Sequence, residues 1–489
     1  MNNLIRIVLL FMPLFGFSQK DTIAHLYTFG SLANDIGEDI SATSDGGFIV
    51  VGSTASSGDG NTDVYLLKID SLCNKEWSWA LGGLNNDWGY AVKQTYDNGY
   101  IIAATSNSFG NGGYDAMLIK RDSFGNYEWQ KTYGGNDWDF AYDVIQTFDS
   151  GYVFCGETYN NTNGYSDVYV VKTNSIGDTV WTRTVGGTLI DKGNALIQTS
   201  DSNIVVAGLK NTLSDSTQAY VLKFDKNGAL LWDSVYGGAR FERANDIVET
   251  QDGGFVFTGA STSFGPGDKD YYIVKVSSSG LKIWEQLFSN PLEEEGFSIY
   301  ELLSGNFINV GYTNSYGGGK KDAHLFMITS GGWWGGKSST FGGLEDEITN
   351  GFALGLNGSM YLSGYTNGYG EGLNDLMVIR VDTIVTQQQF TVTSTIDVAA
   401  IGLSEYKVNK TIFRVFPNPS THYISIEFEE APTHVTITNL MGSIVLSKSI
   451  NQPTFKVDLD ISSLSSGVYL LECRNNKDEK SVEKLIVLD

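Results

Sequence analysis

Hydrophobic and polar positions follow one repeating order through most of this chain. In residues 82–133 a first apolar stretch is followed by the turn Asp97-Asn98-Gly99, the run YIIAATS, a glycine-rich loop, and the stretches DAMLIKRD and YEWQKTY. Each stretch alternates or runs apolar as a β-strand does, and the turns hold residues that tolerate positive φ. The pattern predicts four antiparallel strands with hairpin turns in this unit.

The same order recurs along the chain, and tryptophans mark its fourth strand. Their steps are 52, 52, 51, 52 and 50 residues, at Trp77, Trp129, Trp181, Trp232, Trp284 and Trp334. Seven units can be counted, beginning near Gly30, Gly82, Gly134, Gly186, Gly237, Ser289 and Gly342. A self-similar period of this length, with four strands in each unit, indicates a β-propeller. The predicted fold class is all-β, with a seven-bladed β-propeller over residues 20–384.

The seventh unit lacks a fourth strand, since the repeat stops after LMVIRVD at 376–382. Residues 25–31, HLYTFGS, match the fourth-strand ending WQKTYGG at 129–135. The N-terminal strand is therefore predicted to complete the seventh blade, with His25 in the tryptophan position. Closing the ring in this way removes exposed sheet edges.

Charge and the N-terminal segment limit the partners. The 489 residues include 56 Asp and Glu against 32 Lys and Arg, a net charge of −24, which disfavours nucleic acid and anionic lipid. Residues 1–19 have the pattern of a signal peptide, with Arg6, an apolar stretch and small residues before Gln19. A retained membrane anchor is the alternative. No transmembrane segment is predicted in the mature chain.

One acidic position repeats in every unit, five residues after its start. Because it precedes the innermost strand, it shares a face with the long loops between second and third strands, where binding sites commonly lie. The carboxylates either fix the local turn by accepting backbone N–H bonds or form a candidate binding face. The seven residues are Asp35, Asp87, Asp139, Asp191, Glu242, Glu294 and Glu347.

The same loops contain aromatic residues and one cation-binding pattern. Aromatic side chains beside Asn and Ser either stack on a glycan or pack within their loops. Asp59, Asn61 and Asp63 resemble the first part of a calcium loop without its terminal Glu, so they are either a weak calcium site or turn caps. No other cofactor and no catalytic residue is predicted. The candidate aromatics are Phe109, Tyr159, Tyr165, Phe264, Tyr316 and Tyr369.

A different pattern follows the repeats. Residues 385–411 contain a Gln run and no repeat motif, and we interpret them as a linker. Residues 412–489 contain seven short strand-like stretches, which predict a small seven-stranded, immunoglobulin-like β-sandwich.

The C-terminal motifs resemble a known family. Pro417, Asn418 and Pro419, the turn at Gly442, and the stretch from Gly467 through Tyr469 to Leu471 are similar to the type A C-terminal sorting domain of type IX secretion. The resemblance implies partners in the type IX machinery and its sortase. It also implies a product that is secreted or attached to the outer surface.

Three classes of function fit this organisation. The first is a non-catalytic surface or secreted protein that binds a glycan, a matrix protein or another cell through the loop-rich face. The second is a secreted polysaccharide-degrading enzyme, a glycoside hydrolase or lyase, which needs an acid and a base or nucleophile at a defined separation. The third is a structural scaffold. The carboxylates follow the sevenfold pattern rather than breaking it, so we expect binding rather than catalysis.

Overall fold

The computed structural model describes residues 23–160, 164–213, 216–266, 268–382, 389–396, 413–416, 422–428, 432–439, 444–450, 454–465, 467–475 and 480–487. The chain divides into two compact units, Met1–Gly402 and Leu403–Asp489. All regular secondary structure in the described ranges is β, and these ranges contain no helix long and apolar enough to cross a membrane.

The first unit contains the repeats predicted from the sequence. Its strands, in chain order, are β1 (Ile23–Gly30), β2 (Asp35–Ala42), β3 (Phe48–Thr54), β4 (Asp63–Ile69), β5 (Lys75–Leu81), β6 (Asp87–Gln94), β7 (Tyr100–Ser106), β8 (Asp115–Arg121), β9 (Tyr127–Tyr133), β10 (Asp139–Gln146), β11 (Tyr152–Thr158), β12 (Asp167–Thr173), β13 (Thr179–Val185), β14 (Asp191–Gln198), β15 (Ile204–Asn211), β16 (Thr217–Phe224), β17 (Leu230–Tyr236), β18 (Glu242–Glu249), β19 (Phe255–Ser261), β20 (Asp270–Val276), β21 (Lys282–Phe288), β22 (Glu294–Glu301), β23 (Phe307–Thr313), β24 (Asp322–Ile328), β25 (Trp334–Phe341), β26 (Glu347–Leu354), β27 (Met360–Thr366), β28 (Asp375–Val381) and β29 (Gln389–Ile396).

In the described residues of the first unit these strands form seven sheets, which we call blades 1 to 7 in chain order from β2. Blades 1 to 6 are four-stranded antiparallel meanders, and blade 7 has four antiparallel strands and β29 as a fifth. The predicted seven-bladed propeller is confirmed. In blade 7 the order is β26-β27-β28-β1-β29, so the fourth strand comes from the N-terminal part of the chain. β1 runs antiparallel to β28, with Leu26 opposite Ile379.

One strand lies within the range that the sequence analysis treats as a linker. β29 pairs in parallel with β1, with Ile23 opposite Gln389, and forms the outer edge of blade 7. The sequence gives little sign of this strand, because it follows a Gln run and lies outside the period of the repeat.

The middle strands of the blades form the core. Every residue of β3, β7 and β11 is buried, because both faces of these strands pack against neighbouring blades. Val51 and Val64 of blade 1, for example, belong to one cluster with Val92 and Ile102 of blade 2. Burying each such side chain contributes about 1.5–3 kcal/mol, and each blade therefore depends on both neighbours.

Each of five tryptophans lies against a turn glycine of the next blade. At Gly228, where φ is +81°, an added Cβ would come within 2.9 Å of the Trp181 ring. The other four contacts have the same geometry. The five pairs are Trp77–Gly125, Trp129–Gly177, Trp181–Gly228, Trp232–Gly280 and Trp284–Gly332.

The repeat departs from this rule where the ring closes. Cys73 occupies the turn position in blade 1, with φ +63°, and the preceding blade 7 has His25 instead of an indole. Trp334 lies opposite Ile328, where β5 has Lys75 opposite Ile69, so it is not the structural equivalent of Trp77. Blade 7 has no turn between its third and fourth strands, and Trp334 remains 53% exposed.

The described residues of the second unit form seven strands in two sheets, as the predicted small sandwich requires. Its core is shared by both sheets, with Ile426, Leu459, Val435 and Leu471 in one cluster. The sheet orders are β30-β31-β34 and β33-β32-β35-β36. The strands are β30 (Phe413–Phe416), β31 (Tyr423–Phe428), β32 (Pro432–Asn439), β33 (Ile444–Ser449), β34 (Lys456–Asp460), β35 (Gly467–Asn475) and β36 (Lys480–Val487).

Gly228→Ala tests the contact between blades. The added methyl group meets the Trp181 ring, and we expect a loss of about 1–3 kcal/mol in the free energy of unfolding beyond the backbone effect. Gly358→Ala is the matched control, because Gly358 has φ +83° and, apart from its two chain neighbours, no described residue has an atom within 4 Å of an added Cβ. Chemical denaturation compares the two variants, and equal losses would contradict the packing argument.

Candidate functional site

The seven repeated carboxylates are buried at the first position of each innermost strand, all 0% exposed. Each of these carboxylates lies close to the backbone of the loop that precedes its strand. Asp87 Oδ2, for example, accepts hydrogen bonds from Gly83 N at 2.8 Å and Ser108 Oγ at 2.7 Å. Corresponding bonds fix Asp35, Asp139, Asp191, Glu242 and Glu347. These groups stabilise the loops from within, and as a set they are not on the surface.

A second carboxylate lies beside most of these acids at the junction between blades. Asp63 of blade 1 is buried, and its Oδ1 has no hydrogen-bond partner among the residues that the structure describes. A Cβ added at Gly82 would lie 1.8 Å from Asp63 Oδ1 and 2.7 Å from Asp87 Oδ2, so the two oxygens are close neighbours. Burial, reinforced by the charge of Asp87, raises the pKa of Asp63 to about 6.

The chain contains one neutral version of this pair. Gln218 replaces the aspartate at the junction of blades 4 and 5, and its Nε2 donates to Gly238 O at 2.7 Å and to Glu242 Oε2 at 3.4 Å. The position therefore accommodates a donor that points at the neighbouring carboxylate. An aspartate can supply such a donor only when it is protonated.

The predicted loop aromatics are spread over five blades. Tyr165 and Tyr316 are more than half exposed, and Phe109 and Phe264 are each 37% exposed. Tyr159 and Tyr369 are half-buried. Tyr316 donates its hydroxyl to Asn290 Oδ1 at 2.6 Å, a contact between neighbouring loops. Only Tyr159 belongs to the larger aromatic group described next.

A continuous group of aromatic rings crosses the junction of blades 2 and 3, and we call it the aromatic strip. Trp138, on the loop before β10, is 49% exposed, and the other six rings are half-buried. Tyr114 lies 5.1 Å from Trp88 and 5.7 Å from Trp138, measured between ring centroids. The strip consists of Trp88, Tyr90, Tyr114, Trp138, Phe140, Tyr142 and Tyr159.

The strip leads into a cavity on the propeller axis. A β-bulge in each innermost strand places one extra residue there, such as Tyr90 between Gly89 and Ala91. The cavity has a volume of about 360 Å³ and is lined by Tyr90 and Tyr142 among other bulge residues. The remaining bulge residues on its wall are Glu38, Asn194, Asn245, Phe297 and Asn350.

The cavity wall carries several acids and one lysine. Lys93 Nζ lies 2.6 Å from Asp39 Oδ2. Burial, with the neighbouring charge of Asp39, raises the pKa of Glu38 to about 7. Burial also raises the pKa of Asp143 to about 7, although Lys93 opposes the shift. Asp39 and Asp143 also accept backbone N–H bonds from the next blade, which ties them to the scaffold.

Charged residues on the loop face form ion pairs. Glu295, only 1% exposed, accepts from Arg243 and from Lys269 Nζ at 3.1 Å. Lys321 lies 3.2 Å from Glu293, and Lys320 lies 2.5 Å from Glu345. The acidic stretches of blades 6 and 7 are thus partly neutralised by neighbouring loops.

The aromatic strip was not predicted from the sequence, although the sequence contains a signal for it. The second and fourth positions of the innermost strand hold aromatic residues together only in blades 2 and 3, as Trp88 with Tyr90 and Phe140 with Tyr142. Comparing these two positions across the seven repeats would have shown the break in symmetry. The repeated acids, by contrast, are present in all seven blades, as expected of a position with a structural role.

The calcium hypothesis concerns the loop before β4. Asp59 and Asn61 are exposed there, whereas Asp63 is buried and its Oδ2 accepts from Gly60 N at 3.2 Å. Within the described ranges, no three His, Cys, Asp or Glu side chains form a group that could hold a metal ion. The loop could supply further oxygens from hydroxyl groups, amides and carbonyls, and calcium binding stays a prediction.

The sorting-motif residues are only partly within the described ranges. Pro417, Asn418, Pro419 and Gly442 lie outside them. Gly467 begins β35, and Tyr469 is buried, with its hydroxyl donating to Ser465 O at 2.8 Å.

Comparison with protein families identifies the second unit. Residues 414–488 match the family described as the secretion system C-terminal sorting domain. This region is therefore a sorting domain of type IX secretion, which implies an interaction with that machinery. It also indicates that the chain is exported and either attached to the outer cell surface or secreted from it.

No curated protein matches the chain. Among solved structures, the extracellular domain of a hybrid two-component system from B. thetaiotaomicron is 12% identical, with a TM-score of 0.41. The match covers 94% of this chain and 57% of that one, so this chain spans little more than half of its length. The Neurospora crassa Pan2 WD40 domain is 11% identical over 74% of this chain and 92% of that one, with a TM-score of 0.44. YCF48 bound to D1 peptide is 10% identical over 75% and 97%, with a TM-score of 0.43. Similarity at this level carries no argument about function.

Asp63→Asn tests the pair at the blade junction. The pKa of Asp63 is about 6 in the folded state against an ordinary 3.8, so folding favours its protonated form. Its contribution to stability is present at pH 4 and is lost as the pH rises through 6. The introduced amide donates a hydrogen bond at every pH, whereas the carboxyl group must first bind a proton. The variant should therefore gain stability relative to the parent between pH 4 and pH 7. Thermal melts across this range measure the difference.

Asp268→Asn serves as the control for that experiment, because it removes an exposed carboxylate from the equivalent loop of blade 5. Its difference from the parent should change little with pH. If the stability difference between Asp63→Asn and the parent also did not change with pH, this would contradict protonation of Asp63 beside Asp87 in the folded state.

Chelation tests the calcium hypothesis. If Asp59, Asn61 and Asp63 hold calcium, EGTA should lower the melting temperature of the purified chain, and added CaCl₂ should restore it. Asp59→Asn should weaken this response. An unchanged melting temperature with and without EGTA would exclude a structural calcium ion in the loop.

Proposed function

We propose that this chain is a non-catalytic binding protein of the cell surface, delivered by type IX secretion, whose propeller binds a partner at the loop-face mouth of the axial cavity. The observation that carries the proposal is the aromatic strip. It breaks the sevenfold symmetry at one junction, and a single ligand requires a single set of contacts. Its rings are partly exposed and continue into a cavity, as in many binding sites.

The sorting domain supports the location of this activity. A domain of this kind accounts for passage to the outer surface, and residues 1–19 would serve as the signal for the first export step. The mature product would then present the loop face to the extracellular medium. Matrix proteins, glycans and other cells are the partners available there.

An enzyme is the second candidate, and one observation favours it. Glu38 lines the cavity with a pKa raised to about 7 by burial, as a general acid requires. Asn350 Nδ2 donates to Glu38 Oε2 at 3.1 Å and would orient it. The nearby Asp39 and Asp143 are engaged by backbone amides, so we favour binding.

One experiment separates the two candidates. The purified full chain is incubated with immobilised neutral and acidic polysaccharides and with extracellular matrix proteins, while retention and soluble products are both measured. Retention without product supports a binding protein. Product formation that is abolished in Glu38→Gln would establish the enzyme instead, and the absence of retention on every surface would contradict the proposal.

Removal of residues 412–489 tests the delivery step in the native host. Without the sorting domain, the propeller should remain in the periplasm rather than reach the cell surface or the medium. Cell fractionation and surface proteolysis measure the distribution. Fusion of the same residues to an unrelated exported protein is the control, and it should carry that protein outward.

A further inference from the structure

We propose that the aromatic strip is a binding site for a neutral carbohydrate chain, whose sugar rings stack on successive aromatic faces from the rim of the propeller into the axial cavity. This inference rests on the proposed binding function and names the ligand class and the subsite. Four observations carry it: the continuity of the rings, their fixed positions, the polar groups beside them, and the local balance of charge.

The rings form an unbroken path. Trp138 on the rim lies 6.5 Å from Phe140, Phe140 lies 5.8 Å from Tyr142, and Tyr142 lies 5.1 Å from Tyr90, all between ring centroids. The planes of Phe140 and Tyr142 differ by only 13°, so they offer faces of similar orientation. Tyr90 and Tyr142 line the cavity, and the path therefore ends inside it. A chain of stacked units fits a path of this kind better than one compact ligand does.

The rings are held in place by the protein itself. Trp138 lies against the backbone of Gly113, where an added Cβ would come within 2.3 Å of its Nε1. Tyr142 donates its hydroxyl to Glu157 Oε1 at 2.6 Å, and Lys192 Nζ lies 4.5 Å from the centre of its ring. Ring positions fixed before binding reduce the entropy lost when a ligand is ordered.

Hydrogen-bonding groups accompany the apolar faces. Tyr and Trp each combine an apolar ring with one polar atom, and sugars likewise combine C–H faces with hydroxyl groups at their edges. Lys192 Nζ and Glu157 Oε1 lie 3.0 Å apart beside Tyr142, and Asn194 lines the cavity together with Tyr142. These groups already bond one another or the backbone, and sugar hydroxyl groups can add hydrogen bonds to their remaining N–H groups and lone pairs, which an apolar peptide side chain cannot do.

The charges beside the strip favour a neutral ligand. Lys192 is paired with Glu157, and Arg243 of the next blade is paired with Glu295. Both cations are therefore neutralised by a carboxylate partner. Because the chain also has a net charge of −24, uronic or sialic acid groups would be repelled rather than attracted.

The test uses the full chain and an array of neutral and acidic oligosaccharides, followed by calorimetric titration with the best-bound neutral oligosaccharide. Trp138→Ala and Phe140→Ala should each weaken binding about tenfold or more, as expected for aromatic side chains that become buried against a ligand. Trp333→Ala is the matched control, because Trp333 is 68% exposed on a turn between β24 and β25, outside the strip. It should bind as the parent does. Thermal melts confirm that each variant is folded.

Trp138→Phe keeps an aromatic face and should retain most of the affinity, which separates stacking from general loss of packing. Neutral binding that persists unchanged in Trp138→Ala and Phe140→Ala would overturn the subsite while leaving the binding function intact. Binding only to acidic oligosaccharides, or only to matrix proteins, would overturn the ligand class. Retention on no surface at all would remove the proposed function as well.

Discussion

The fold depends on the burial of each blade against both of its neighbours. The middle strands are apolar on both faces, so no blade can be stable with one face exposed to water. A linear array would leave such a face at each end. The ring avoids this only because β1 completes blade 7 and joins the first and last repeats. The five tryptophans that pack on turn glycines also bury one blade against the next, because each contacts the following blade from the outer strand of its own.

Ring closure also explains where the repeat is irregular. His25 stands opposite Arg380 in blade 7, where Trp77 stands opposite Lys68 in blade 1, and the turn that follows in space has Cys73 rather than glycine. A side chain is tolerated at this turn position because the large indole is missing. Trp334 has no turn glycine to meet because blade 7 has no turn there. Both irregularities are consequences of building one sheet from two ends of the chain.

The sequence predicted the parts of the structure that repeat and missed those that do not. Strand number and blade number follow from a fixed period, and seven copies of one pattern outweigh errors in any single copy. β29 was not recognised because it occurs once. The acidic position could be located from the sequence, but its role could not be decided, because Asp87 has the same spacing whether it faces solvent or Gly83 N. Only three-dimensional packing shows that it is buried.

The same reasoning separates scaffold from site. A residue that recurs in every blade solves a problem that every blade has, and the buried acids with their loop amides are of this kind. A ligand meets the propeller from one direction and contacts a few blades, so its residues should differ from blade to blade. Trp88 and Phe140 meet this condition at a position where other blades carry Lys192, Arg243 or Glu295. Tyr90 and Tyr142 meet it at a position where other blades carry Asn194, Asn245 or Asn350. The scaffold can tolerate these changes because the innermost strand borders the cavity, whereas every residue of middle strands such as β7 and β11 is buried. Variation between blades is therefore possible at the position that a ligand in the cavity could reach.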